Sequence, residues 1–525
     1  MLKNILLIIC LISLVLSACG PGAASTAAPT STVRSTVRPA ILAGEDIPGV
    51  LRPSACPFAL PKDLEEGVDV ECGYLPVYEN RVSDTPEKGG TLRLAVAVFH
   101  PPGGPRQPDP VIYLSGGPGA SILKTIAGQY EFLSEPVFAT GRSLIVFDQR
   151  GIGLSQPALD CQEFTQLSQE LLDRQLEGQP VSEEEVTELA FETLKACRDR
   201  LAQNADLSAY NSFSSAADVH ELRLALGYEK INLWGGSYGT RLALEVMRRY
   251  PADLRSVVLD AVYPPDVDLY VAGMANYNRS LSALFESCTA NSVCAQNFPD
   301  LEVVLFEIVE RLNAEPVTRE INDPITWESV EVRLSGDVLL AIVFQMLYDS
   351  KLRYFIPRII YDVSEGDFNY IDQVYGAMLA MASIASRGMM FSVQCHEELA
   401  FSSQAAFEAE LGRYPELSGM YANSILGGLA YRLCAVWAAG IAEASANQPV
   451  ESEVPALILS GEFDPITPPA WGFQAAETLK NAFAYVFPGI GHGASLADPC
   501  PMSMMIGFLD HPQQEPEASC IAQMR

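Results

Sequence analysis

Short segments that are apolar on successive positions, each closed by a turn signal, constrain this chain more than any other feature. Residues 92–99, 111–114, 143–147, 231–234, 255–259, 456–459 and 484–487 read this way. A strand with one wet face alternates apolar and polar residues, because its side chains point to opposite faces in turn. A strand that is apolar on consecutive positions must be covered on both faces, as in a parallel sheet. Helix-length stretches separate these segments; 240–249 is the clearest, closed by Tyr250 and Pro251. The expected fold is therefore α/β, a mostly parallel sheet with helices on both faces.

The strand pattern stops after about residue 265 and resumes near 454. Helical stretches at 281–287, 301–312 and 338–348 lie between. Residues 266–453 are thus expected to form an inserted, largely helical cap. A shorter helical and polar excursion covers about 160–208. Residues 51–265 and 454–525 would then be two parts of one core. The length of 525 residues suits one large core plus an insertion. Hydrophobic residues make up 48% and charged residues 19%, enough apolar material to fill that core. The formal net charge of −31 leaves no basic footprint for nucleic acid and no basic patch for anionic lipid.

The first residues predict export. Lys3 precedes an apolar stretch over 5–16, which ends in Leu16-Ser17-Ala18-Cys19. This reads as a signal peptide over 1–18 with a bacterial lipobox, making Cys19 the lipidated mature N-terminus. Residues 19–50, rich in Ala, Ser, Thr and Pro, would tether the globular part to the membrane at the extracytoplasmic side of the envelope. Of twelve cysteines, Cys10 and Cys19 fall in this region, leaving ten. An even number in an exported chain suggests disulfides. Pairing neighbours in sequence gives Cys56–Cys72, Cys161–Cys197, Cys288–Cys294, Cys395–Cys434 and Cys500–Cys520.

The chemistry centres on Gly235-Gly236-Ser237-Tyr238-Gly239, which follows an apolar strand and opens a helix. That is the setting of a nucleophile elbow, with Ser237 raised above the sheet edge. A serine hydroxyl needs a base. Among five histidines, His492 alone sits in a loop directly after the last expected strand. The orienting acid should follow the strand before it, where Asp464 and Glu462 compete; Asp464 lies deeper in the loop, beside Pro465. Thr467 is a candidate partner for that carboxylate. The oxyanion requires two backbone N–H groups. Tyr238 would supply one and the turn Ser115-Gly116-Gly117-Pro118-Gly119 the other, from Gly117 or alternatively Gly116. There is no His-Glu-x-x-His and no clustering of histidines, so neither metal nor cofactor is expected.

Three blocks in order, Ser115-Gly116-Gly117-Pro118-Gly119, Asp148-Gln149-Arg150-Gly151-Ile152-Gly153-Leu154-Ser155 and Gly235-Gly236-Ser237-Tyr238-Gly239-Thr240, resemble the signature of the prolyl aminopeptidase family of α/β-hydrolase serine peptidases. The segments around Asp464 and His492 resemble its tripeptidyl-aminopeptidase-like branch, which includes exported bacterial lipoproteins. Ser115 departs from the histidine usual in prolyl aminopeptidases, which weakens a strict proline-iminopeptidase assignment. The resemblance implies an α/β-hydrolase fold and release of short N-terminal fragments from peptides. Such an enzyme must hold a free ammonium group, and Glu397 and Glu398 in the cap are candidates for its partner. Asp148 and Arg150 are expected to brace loops. The alternatives are a carboxylesterase or other ester hydrolase on the same scaffold, since a triad does not choose between amide and ester, and a non-catalytic binding lipoprotein.

Overall fold

The computed structural model of the chain describes residues 46–81, 90–176, 183–322, 329–381 and 385–524. The expected signal peptide, Cys19 and most of the tether lie outside the described residues. The strands are β1 (Arg52–Pro53), β2 (Val70–Tyr78), β3 (Thr91–Phe99), β4 (Val111–Leu114), β5 (Leu144–Phe147), β6 (Ile231–Gly236), β7 (Leu254–Asp260), β8 (Val317–Asn322), β9 (Ser329–Leu334), β10 (Ala456–Gly461) and β11 (Ala482–Phe487). One nine-stranded sheet runs β1-β2-β3-β5-β4-β6-β7-β10-β11. From β5 to β11 every pairing is parallel, while β1, β2 and β3 join antiparallel at one edge.

Two-sided burial of the strands follows from their composition. In β4, Ile112 and Leu114 enter one apolar cluster, together with Leu242 and Val246 of the helix Tyr238–Arg249. Val111 and Tyr113 enter another on the opposite face, with Ile126 and Val137 of the helix Ile122–Ala139 and Met505 and Phe508 of the helix Pro499–Asp510. In β10, Ala456 and Ile458 join the first cluster, Leu457 and Leu459 the second. Burying a side chain of this size contributes about 1.5–3 kcal/mol, so each short strand is held from both sides.

Each strand expected from sequence is present, with ends shifted by at most two residues. Four strands were not expected. In β2, Gly73 and Pro76 interrupt the strand signal. Both are tolerated for local reasons. A Cβ at Gly73 would come within 2.6 Å of the Arg52 carbonyl oxygen, and the two-residue β1 stops before reaching the level of Pro76. β8 and β9 form an antiparallel hairpin inside the cap, with Ile321, Val332 and Leu334 buried on one face. The cap is otherwise helical. Helices Leu269–Ala290, Leu301–Ala314, Gly336–Tyr348 and Ile356–Glu365 enclose their own apolar cluster. Later cap residues, such as Phe391, Leu433 and Trp437, continue the core cluster instead. The 160–208 excursion contains helices Gln162–Leu176 and Glu183–Leu201.

The five disulfides pair as sequence neighbours. Among the described residues, no helix is long and apolar enough to cross a membrane.

Candidate active site

The site begins where β6 ends. Ser237 has φ 55° and ψ −125°, in a region non-glycine residues rarely occupy. The surroundings leave it little choice. Its N–H donates to the Asp260 carbonyl at 2.9 Å, and its own carbonyl accepts from Thr240 N–H at 2.8 Å and Thr240 Oγ1 at 2.6 Å. The flanking glycines are required by close approach. A Cβ at Gly239 would lie 2.0 Å from the Leu114 carbonyl oxygen, and one at Gly235 would lie 2.5 Å from that of Gly239. The side chain is thereby presented at the carboxyl end of β6, above the N-terminus of the helix Tyr238–Arg249.

His492 follows β11 and Asp464 follows β10. His492 Nδ1 lies 2.7 Å from Asp464 Oδ2. The other acid oxygen, Oδ1, accepts the N–H groups of Ile466 at 3.0 Å and Thr467 at 2.9 Å. Thr467 Oγ1 donates to Oδ2 at 2.6 Å and lies 3.1 Å from His492 Nδ1. Burial alone would push Asp464 up; the His492 imidazole and the Thr467 hydrogen bonds outweigh it, and its carboxyl sits below the usual range. It is therefore ionised at neutral pH. The stability it contributes is complete above the ordinary carboxylate value of about 4. That stability is lost as pH falls through the lowered folded value. The imidazole stacks on Tyr348 at 4.1 Å, and its backbone N–H donates to the Tyr348 carbonyl at 2.8 Å.

His492 Nε2 is buried and has no hydrogen-bond partner. Ser237 and His492 line one cavity, walled by Tyr113, Trp234, Tyr348 and Leu496. The line from acid to imidazole is closed, and its last link to the hydroxyl is open. Such links commonly tighten only when substrate binds.

The glycine-rich turn after β4 reaches the same place. A Cβ at Gly116 would lie 3.0 Å from Ser237 Cβ. Gly117 has φ 114°, open only to glycine. Tyr238 opens the helix, and its hydroxyl is 2.9 Å from Ser212 Oγ. The Asp-Gln-Arg block braces this turn. Asp148 accepts from Ser121 Oγ at 2.7 Å and from the N–H groups of Leu123 and Leu154. Burial nevertheless pushes its carboxyl up to about 6. Gln149 Nε2 donates to the Ser115 carbonyl at 3.1 Å. Arg150 forks onto Asp218, both contacts at 2.7 Å.

Glu397 and Glu398 are not brought to the Ser237 cavity. Both are buried against Arg241, with Glu398 at 2.9 Å and Glu397 at 3.5 Å from Nε. Glu397 also accepts the Ser212 N–H, and Glu398 accepts the Tyr263 hydroxyl. Burial pushes Glu398 up to about 7 despite the pull of Arg241. This placement does not bring them to Ser237, where they were expected to meet an ammonium group; both face the buried Arg241 guanidinium, which requires anionic charge nearby. Glu462, the competitor to Asp464, accepts the Gly489 N–H at 2.8 Å and holds the loop ahead of His492. Tyr348, Asp349 and Asp260, which also line the cavity, escaped the sequence reading. Asp260 carried a signal, a lone acid ending an apolar strand at the sheet's carboxyl edge, where ligands bind in such folds. Tyr348 carried none, because cap residues reach the site only through tertiary packing.

The α/β hydrolase fold family matches residues 109–287, which hold the nucleophile elbow and the glycine-rich turn. The chain has the α/β-hydrolase fold. The TAP-like protein family matches residues 423–520, which hold Asp464 and His492. The hydrolase is similar to "Serine protease Hip1" of Mycobacterium tuberculosis, 22% identical over 397 residues, covering 72% of this chain and 74% of that protein. It is similar to "Tripeptidyl aminopeptidase" of Streptomyces lividans, 30% identical over 206 residues, 38% of this chain and 36% of that protein. It is also similar to "Carboxylesterase B" of Mycobacterium tuberculosis, 23% identical over 214 residues, 40% and 41% respectively.

Replacing the acid separates the two carboxylates in this loop. Asp464→Asn should lower kcat by about 10⁴, the loss expected when the imidazole tautomer is no longer fixed. Glu462→Gln should cost far less. Steady-state kinetics on both variants checks this, and the reverse order would show that the acid is misassigned.

Proposed function

We propose that this hydrolase is an exported serine peptidase that releases short N-terminal fragments, tripeptides or single residues, through an acyl-enzyme on Ser237. The observation that carries the reading is the partnerless Nε2 of His492, buried beside Ser237 and backed by an ionised Asp464. Ser237 Oγ attacks the scissile carbonyl as its proton passes to Nε2. Asp464 stabilises the resulting imidazolium. The N–H groups of Tyr238 and of Gly117, with Gly116 as the alternative, take the oxyanion. The imidazolium then protonates the leaving amine, and water, deprotonated by the same imidazole, releases the acyl fragment.

The choice of peptides draws support from two relatives, one named a serine protease and one a tripeptidyl aminopeptidase. With Glu397 and Glu398 committed to Arg241, the ammonium role passes to Asp349, which lines the Ser237 cavity. The carboxylesterase among the relatives favours a second reading, hydrolysis of small esters. Export is supported by five disulfides, which persist in oxidising compartments; the lipid on Cys19 rests on the Leu16-Ser17-Ala18-Cys19 sequence alone.

A substrate panel distinguishes the readings. Free-amine tripeptide anilides should be cleaved and their N-acetylated counterparts should not, while Ser237→Ala should lower kcat by about 10⁶. Cleavage of acyl esters alone would reverse the ranking in favour of the esterase. For the anchor, wild-type protein should incorporate a labelled fatty acid and Cys19→Ser should not; equal labelling of the two would exclude lipidation at Cys19.

A further inference from the structure

We propose that Asp260 is a positioning residue that holds the Ser237 turn and the His492 loop in one register. The inference rests on the serine-hydrolase reading above and adds the device that aligns nucleophile and base. Asp260 is the last residue of β7, the strand between β6, which ends at the nucleophile, and β10, which leads to Asp464. It is 3% exposed. Its backbone carbonyl accepts the Ser237 N–H at 2.9 Å. Its carboxylate accepts the Ala494 N–H at 2.7 Å, the Ser495 N–H at 2.8 Å and the Ser495 hydroxyl. Ala494 and Ser495 are two and three residues past His492. One residue therefore grips the nucleophile through its main chain and the imidazole loop through its side chain.

The neighbouring backbone reinforces this grip. Ala261 has φ 60°, and its N–H donates to the Leu459 carbonyl of β10 at 2.9 Å. Asp260 and Ala261 thus tie to the strands on both sides at the edge where the site lies. Burying a carboxylate costs several kcal/mol unless donors replace its water. Burial does push this carboxyl above its ordinary range, against the three hydrogen bonds and the nearby His492 imidazole. Asp260 also lines the cavity shared by Ser237 and His492.

The geometry separates alignment from folding. Asp260→Asn keeps the backbone bond to Ser237 and the side-chain volume. It replaces one accepting oxygen with an NH₂ group that faces the donors of the His492 loop. The nucleophile turn stays in place and the imidazole loses its register. A misplacement of about 1 Å at a proton-transfer distance costs roughly 100-fold in rate.

The test is covalent labelling of the full-length protein with a fluorophosphonate probe, following both rate and final extent. Wild-type protein should label fully at Ser237. Asp260→Asn should reach the same extent about 100-fold more slowly, with KM for a tripeptide anilide changed by no more than about threefold. Ser495→Ala, which removes one of the three bonds, should label about tenfold more slowly. If Asp260→Asn does not accumulate as folded protein, the Ser495→Ala rate decides. An unchanged rate in the variants overturns the proposal. So does a reduced extent in which the reactive fraction labels at the wild-type rate, because that marks a folding role only. Wild-type protein that resists the probe would instead overturn the serine-hydrolase reading itself.

Discussion

The backbone at Ser237 is the constraint that the surrounding structure serves. A non-glycine residue held at φ 55° costs about 1–3 kcal/mol and persists only where its neighbours over-determine it. Here they do. Main-chain hydrogen bonds from Asp260 and Thr240 clamp it, and the glycines on either side leave room for backbone that any side chain would fill. The cost is offset by two-sided burial of β6 and its neighbours, so the strain rests on the most firmly packed part of the sheet. The result is a hydroxyl fixed at the sheet edge before any substrate arrives.

Charge is distributed around that point in two ways. Near the nucleophile, carboxylates are buried singly and satisfied by backbone N–H groups and hydroxyls: Asp464 by Ile466 and Thr467, Asp260 by Ala494 and Ser495, Asp148 by Leu123, Leu154 and Ser121. Each fixes a loop that carries or contacts the site. Farther away, buried arginines take paired acids: Arg150 with Asp218, and Arg241 with Glu397 and Glu398. Removing one partner of such a pair is expected to destabilise by about 3–5 kcal/mol, because an unpaired charge would remain inside. The Glu397–Glu398 pair therefore belongs to the scaffold that fastens the helix Tyr238–Arg249 to the cap.

Strands such as β4, β5 and β10 were legible in the sequence because burial on both faces writes itself as consecutive apolar residues. Ser237, Asp464 and His492 were legible as candidates because each stands directly after such a strand, and the structure places the three around one edge. β2 was not, since Gly73 answers to its close approach to β1 and Pro76 is tolerated because β1 ends before reaching it. The cap hairpin β8–β9 was missed because its strands alternate apolar and polar residues, unlike the continuous apolar runs that mark the main sheet. The contact of Glu397 and Glu398 with Arg241 was not legible, because an acidic pair in the cap carries no sign of its buried cation, and Arg241 lies more than a hundred residues earlier in the chain. Tyr348 could not be foreseen, because its contact with His492 depends on how the cap folds back over the core.

The open gap between Ser237 Oγ and His492 Nε2 is the point at which this account is most exposed. A crystal structure of the protein carrying a peptidyl phosphonate measures it directly. The account predicts a covalent bond from phosphorus to Ser237 Oγ, Nε2 drawn to within about 3 Å of it, and the Asp464–His492 contact unchanged. Phosphorus bonded to another residue, or an imidazole that stays out of reach of a modified Ser237, would contradict it.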